Sequence, residues 1–410
     1  MSGTLSMMIK AIAKKHPALK RIVEQRDWFI AENGLLAAEN NRLIAESKFA
    51  QSVRWLRHRP VENFNLQLSI GKGTTIDDGR IVGRLIESYR KFSFQESEKE
   101  SSWSALFDAH HVRIHEAFMN GSIREVSEIL SNPASNNIFF GFDELTLAYI
   151  DVFKSNPKTL LDMCQDDLFR LGEAIGELPL SNPEAEAVVC DTSKPTDELI
   201  FSIEKGLGIK LEFPDIYPDT IGLLSSRGTV TYRAIQALYL AFRLENTLKS
   251  IGKNGGSVCE IGAGLGRSAF YANKMGLKNY TLVDIPITLM AQGYFLMRSL
   301  GEDAVVLPGE TSPSRNKIRL MHSEDFFASS ESYDLIANVD SLTELGPKLA
   351  ARYLQSISRK TSTFLSINHE VNSSRVNKLL DREELGEFNI SRYPYWMRNG
   401  YAEELISFKP

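Results

Sequence analysis

The residues best suited to chemistry lie late in the chain, in the run Val258-Cys259-Glu260-Ile261-Gly262-Ala263-Gly264-Leu265-Gly266-Arg267. An apolar stretch interrupted by Glu260 passes into glycines spaced G-x-G-x-G, and helix-forming residues follow. Glycines so placed clear side chains from a strand-to-helix turn, letting backbone lie against a bulky ligand. A dinucleotide loop wants G-x-G-x-x-G, in which the third glycine allows close helix packing while the helix N-terminus faces a pyrophosphate. Arg267 occupies that place here. The spacing therefore points away from NAD and flavins and toward a ligand without a pyrophosphate, and Glu260 suits a cationic one. Eighteen residues after Gly266, the run Tyr280 to Val283 ends at Asp284. A carboxylate at the tip of the neighbouring strand can accept both hydroxyls of a ribose.

One ligand joins a ribose to an ammonium and a sulfonium: S-adenosylmethionine. Its expected binding residues are Glu260, Gly262, Gly264, Gly266 and Asp284. Each signal alone reads equally as a tight turn or a surface acid; their order and spacing together select the cofactor.

Ligands of open parallel sheets bind beyond the C-terminal strand ends. Two further segments end there with usable groups: Asp340 and Glu344 after YDLIANV, and His369 and Glu370 after STFLSIN. Methylating a hydroxyl requires a base to take the proton as the oxygen attacks. His369 is the expected catalytic base and Asp340 the alternative, against the ordinary readings of a solvated imidazole and a helix cap. Asp340 and Glu344 could instead hold a divalent metal through oxygen ligands. His111 and His115, four residues apart on one helix face beside Asp108 and His110, invite a metal reading. They lack the Glu of H-E-x-x-H and a third distant ligand, and interdomain packing is the plainer account. Cys259 sits in an apolar run and reads as core. Tyr232 and Arg233 either reach the acceptor pocket or seat a helix.

The elements that must position these groups alternate from residue 257 onward: strand SVCEIG, helix to Gly276, strand YTLVD, helix from Pro286 to Gly301, then AVVL or IRLMH, YDLIANV, STFLSIN and ELISF. Apolar strands alternating with helices predict a parallel sheet covered on both faces. Residues 61 to 178 read as helical, for example Ile123 to Leu130 and Leu160 to Ile175. The stretch 178–199, with three prolines, is the candidate linker. A helix is expected from Thr229 to Ser250. Residues 8 to 58 read as helix broken near Pro17, with Ile22, Phe29, Leu36, Leu43 and Ala50 recurring every seven residues and Asn33 and Asn40 at the polar seam positions. That ladder predicts either a short coiled coil or a helix packed on its own body. Lys10 to Arg26 could also lie on an anionic membrane surface.

Composition bounds these readings. In 410 residues, 43% hydrophobic and 24% charged, there is material for two or three folded domains. Three cysteines without C-x-x-C spacing suggest neither a disulfide framework nor a zinc ribbon and fit a reducing cytoplasm. No apolar run is long enough to span a membrane, and charges interrupt the first residues where a signal peptide would be apolar. Residues 1–60 carry eleven Lys and Arg against five Asp and Glu, a balance of +6, so the net −5 leaves −11 on the rest. So acidic a body is a poor partner for nucleic acid.

At this point the chain resembles a family. Residues 255 to 410 are similar to the class I S-adenosylmethionine-dependent methyltransferases, and more narrowly to the bacterial sugar O-methyltransferases. The residues that carry the resemblance are VCEIGAGLGR, Leu282 to Leu296, Asp334 to Leu345, Phe364 to Glu370 and the upstream Pro218 to Tyr239. The resemblance implies a Rossmann-like α/β domain with a seven-stranded, mostly parallel sheet. It puts Glu260 at the methionine end, the three glycines under the cofactor and Asp284 on the ribose. It also implies a residue after the third strand at the adenine, either within Pro308 to Glu310 or within Ser323 to Asp325, with Glu324 and Asp325 the acids on offer. The expected organisation is a helical, coiled-coil-like arm (1–60), a helical acceptor-side domain (61–195), a helical connector (196–254) and the methyltransferase domain (255–410). The expected activity is O-methylation of a sugar or glycan hydroxyl. The rivals are another small-molecule acceptor, or a non-catalytic scaffold that binds the cofactor and oligomerises through its N-terminal helix.

Overall fold

The computed structural model describes residues 17–52, 65–74, 77–91, 111–136, 147–180, 193–371, 375–381 and 385–409. The chain forms two compact units, Met1–Arg57 and His58–Pro410. The described part of the first is one helix, α1 (Pro17–Ser52), opened by a proline whose fixed φ suits a first turn. Ile22, Phe29 and Leu36 of the heptad series are exposed on it. The side chains of Leu43 and Ala50, and residues 8–16 and 53–58, lie outside the described residues.

In the second unit a three-stranded antiparallel sheet joins β1 (Leu68–Lys72), β2 (Pro218–Ser225) and β3 (Gly228–Val230). β1 falls in a stretch that reads as helical. Its five residues pair with a strand far away in sequence, and its register shifts between Ile70 and Lys72, so no local alternation marks it. The helices between are α2 (Gly79–Tyr89), α3 (Val112–Asn120), α4 (Ile123–Ser131), α5 (Pro133–Asn136), α6 (Leu147–Ser155), α7 (Pro157–Ala174) and α8 (Thr196–Leu207). α9 (Tyr232–Ser250) follows, capped by Thr231, whose side chain accepts from the Ala234 N–H.

The main sheet contains β4 (Val258–Ile261), β5 (Tyr280–Asp284), β6 (Val305–Val306), β7 (Ile318–His322), β8 (Leu335–Val339), β9 (Thr363–His369), β10 (Phe388–Pro394) and β11 (Tyr401–Phe408). Their order is β10-β11-β9-β8-β4-β5-β7-β6, parallel except for β10 and β11. The helices interspersed are α10 (Arg267–Lys274), α11 (Pro286–Leu300), α12 (Ser323–Ala328), α13 (Pro347–Lys360) and α14 (Val376–Leu380). This is a Rossmann-like α/β fold. β4 is buried along its whole length, as a strand covered on both faces must be, and Cys259 lies in the core with Val283, Ile336, Leu354 and Phe364.

Two details differ from expectation. The sheet has eight strands where seven are expected, because Val305 and Val306 form a short edge strand on β7, and IRLMH takes the place beside β5. β10 has no buried face, so its sequence lacks the alternation that would reveal it. The connection after β4 runs to β5 on one side, while β8 returns to its other side. β4 is therefore the point where strand order reverses, and a crevice opens at its C-terminal end. α9 packs against α7 and α10, which places its N-terminal half beside that crevice. None of the described helices is long and apolar enough to cross a membrane.

Candidate active site

A cleft of about 580 Å³ lies over the C-terminal ends of β4, β5 and β8, within the size range of small-molecule sites. Its floor is the turn after β4. Gly262, Gly264 and Gly266 all have left-handed φ, at 71°, 58° and 82°. A Cβ on Gly262 would fall 2.1 Å from Ser341 Oγ, so the turn and the loop after β8 approach as only a glycine allows. Asn338 ties them further, donating from Nδ2 to the Ile261 carbonyl at 2.9 Å.

Glu260 lines the cleft but is 2% exposed. Its Oε2 accepts from Ser268 Oγ at 2.5 Å and from Tyr280 Oη at 2.6 Å. Burial pushes its pKa up against these two hydrogen bonds. Asp284 lines the cleft from the tip of β5. Its Oδ1 accepts from the Ile285 N–H and its Oδ2 from Gln292 Nε2, at 2.9 and 2.8 Å, and burial raises its pKa to about 7. Gln292 also donates to the Gly264 carbonyl at 2.8 Å, so one fully buried amide joins the glycine turn to the carboxylate. Sequence reasoning missed Gln292. The signal was there: the one amide side chain between Pro286 and Leu296, eight residues after Asp284.

The opposite side of the cleft is built from distant segments. Asp340, at φ 53°, is one of two non-glycine residues with left-handed φ among the described residues, and it turns the chain out of β8. Its Oδ2 accepts from Arg398 Nη1 at 2.9 Å and from Tyr401 Oη at 2.8 Å. Its Oδ1 is buried, has no hydrogen-bond partner among the described residues and lies 3.8 Å from His369 Nε2. Asp340 lines the cleft, whereas His369 stands behind it, its Nδ1 accepting from the Val371 N–H at 3.4 Å. Tyr395 and Arg398 come from the β10–β11 loop, which α7 clasps: Arg170 Nη1 donates to the Trp396 carbonyl, and Trp396 Nε1 donates to the Arg170 carbonyl. Arg233 and Gln236 reach the cleft from α9, while Tyr232 is buried against Phe153.

The structure leaves other candidates outside. Asp325 is exposed on α12 and does not line the cleft, and Glu324 forms a two-pronged ion pair with Arg352 at 2.7 Å. Glu310 pairs with Arg84, and Glu370 with Arg392. His115 Nδ1 meets Tyr89 Oη at 3.0 Å, and His111 is buried at the start of α3, both away from the cleft lining. Asp108 and His110 lie outside the described residues. Asp340, Glu344 and His369 offer ligand atoms within 4.8 Å of one another, a spacing that a divalent cation could use. The guanidinium on Asp340 Oδ2 opposes a second positive charge there.

No family model matches the chain, and no curated protein matches it. Solved structures do. The magnesium protoporphyrin IX methyltransferase of Synechocystis with bound S-adenosylmethionine is 14% identical, covering 43% of this chain and 83% of its own, with a TM-score of 0.31. The glycopeptide N-methyltransferase MtfA complexed with sinefungin is 13% identical over 41% of this chain and 94% of its own, TM-score 0.32. The methyltransferase domain of bacterial CtHen1 is 13% identical over 42% and 100%, TM-score 0.31.

Proposed function

We propose that the chain is an S-adenosylmethionine-dependent methyltransferase that acts on a hydroxyl, that of a sugar or glycan by the sequence resemblance. The observation that carries this reading is the meeting of both halves of the chemistry in one cleft: Glu260, the glycine turn and Asp284 on one side, and a carboxylate with an unpartnered oxygen, Asp340, on the other. The residues present fit the cofactor. Three left-handed glycines keep side chains off the turn, Asp284 offers acceptor oxygens to ribose hydroxyls, and Glu260 suits the cationic end. When bound, S-adenosylmethionine supplies a methyl on a sulfonium, so the acceptor oxygen gains the carbon while the carbon–sulfur electron pair returns to sulfur.

This chain's residues align the acceptor and take its proton. Arg398 and Tyr401 fix Asp340 through Oδ2, so the acceptor hydroxyl would meet this carboxylate at the cleft wall while Oδ1 stays buried beside His369. His369 lies 3.8 Å behind, and imidazole is the commonest general base at neutral pH, so the pair can pass the proton away from the cleft. Sequence spacing favours His369 as the base; position in the cleft favours Asp340 as the group that touches the acceptor, with His369 supporting it. Calorimetry with S-adenosylmethionine and with NAD tests the reading: the first should bind and the second should not. Transfer of labelled methyl to a panel of sugar nucleotides and glycans then tests the acceptor class. Self-association through α1 belongs to the same proposal, supported by the exposed Ile22, Phe29 and Leu36. Placing Asp at both Leu36 and Leu43 should lower the mass measured by light scattering, and an unchanged mass removes that part.

A further inference from the structure

β8 is apolar except for one amide, Asn338, which is fully buried between Ala337 and Val339. A side-chain amide has two donor hydrogens and two acceptor positions, and Asn338 uses all four. Its Nδ2 donates to the Ile261 carbonyl at 2.9 Å and to Ser341 Oγ at 2.5 Å. Its Oδ1 accepts from the Leu342 N–H at 3.2 Å and from Asn368 Nδ2 at 2.9 Å. Each partner adjoins a part of the proposed chemistry. Ile261 precedes Gly262, where the glycine turn begins; Ser341 and Leu342 follow Asp340; Asn368 precedes His369. Asp340 keeps its left-handed φ of 53° with its own N–H on the Ile367 carbonyl at 2.9 Å, and Asn368, also buried, is anchored on Ser366 Oγ at 3.0 Å. An apolar strand gains nothing from an amide at this position, whereas three strand ends that must keep one mutual geometry gain a common tie.

We propose that Asn338 is a positioning residue, whose amide fixes the spacing between the glycine turn and Asp340 and, through Asn368, holds His369 in register with both. This rests on the methyltransferase reading, in which methyl and hydroxyl meet only if turn and carboxylate keep one distance. A misplacement of about 1 Å can cost roughly 10² in rate. The shared amide also links the two ends of the cleft, since a ligand seated on the turn acts on the group that holds the end of β9.

The test is NMR of the full chain labelled at histidine, with His369→Gln assigning the His369 ring and S-adenosylhomocysteine as the probe. In wild type the probe should shift the His369 ring resonances, although His369 does not line the cleft. Asn338→Ala and Asn368→Ala should each abolish that shift, while calorimetry finds S-adenosylhomocysteine affinity near wild type, because Gly262 N–H on Val283 and Gln292 on Gly264 still hold the turn. Ile336→Val, which trims the same strand without touching the amides, should keep the shift. Circular dichroism checks folding, and Asn368→Ala, which leaves the other three bonds of Asn338 in place, decides where Asn338→Ala does not fold. In labelled-methyl transfer to the sugar-nucleotide and glycan panel, Asn338→Ala should lower kcat roughly 10- to 10²-fold and add little to the loss in Asp340→Asn. Additive losses overturn the proposal. So does a His369 shift that survives in a folded amide variant, is lost equally in Ile336→Val, or is absent from wild type that binds the probe. If wild type fails to bind S-adenosylhomocysteine at all, the functional reading falls and this proposal falls with it.

Discussion

The two ends of the cleft are held in opposite ways. At the glycine turn, charge is buried and answered by neutral donors: Ser268 and Tyr280 for Glu260, Gln292 and backbone for Asp284. At the acceptor end, charge answers charge, with Arg398 on Asp340 and Arg233 close by. The first end is assembled within 33 residues, Glu260 to Gln292; the second draws on α7, α9, β8 and the β10–β11 loop. On the proposed function, the difference separates a cofactor seat of buried acids held by neutral donors from an ionic acceptor seat whose charge single substitutions would change.

That comparison breaks first if the glycine end proves tolerant. Gly264→Val places a β-branched side chain at φ 58°, and calorimetry on the folded variant should show no detectable S-adenosylmethionine binding. Retained affinity would mean that the turn is not the seat. The acceptor end should behave differently: Asp340→Asn should cost roughly 10² to 10⁴ in kcat with cofactor affinity near wild type. His369→Ala should cost less, and an equal or larger loss returns the base to His369. The buried acid at the glycine end gives the comparison a pH signature. With Asp284 near 7, its carboxylate gains a proton as pH falls, so cofactor affinity should drop roughly tenfold between about pH 8 and pH 6. Gln292→Leu removes a hydrogen bond that lowers this pKa, and the midpoint should move upward; a flat profile in wild type would show that Asp284 does not titrate on binding. The smallest effect expected is that of EDTA, which should leave turnover within about twofold because Arg398 already serves Asp340. Loss of turnover restored by Mg²⁺ would instead put a cation among Asp340, Glu344 and His369.

The glycine end was legible in the sequence because its parts are spaced along one strand-turn-helix-strand unit, where chain distance and spatial distance agree. Glu260, Gly262, Gly264 and Asp284 line the cleft, Gly266 turns instead toward Leu282, Leu296 and Gln292, and the parallel strands lie in the expected runs. Gln292 escaped because an isolated amide in an apolar helix has no motif. The acceptor end was legible only in fragments. Asp340 and His369 were visible as strand-end groups, but Arg398 follows a strand with no buried face, and nothing local ties Arg233 to it across 165 residues. β1 was hidden for the same reason, its partner being remote. The adenine-side acids were chosen from proximity to a strand end, and helix geometry points Asp325 outward.

The reciprocal clasp between Arg170 and Trp396 has a consequence for portability. It pins the loop bearing Tyr395 and Arg398 to a helix that precedes the glycine turn by about ninety residues, and α9 supplies the adjoining wall. The strand-helix core beginning near residue 255 is therefore half a container. Excised or grafted alone, it would keep the glycine turn and lose the wall formed by α9 and the β10–β11 loop, so on the proposed function the choice of acceptor would depend on sequence upstream of the strand-helix core.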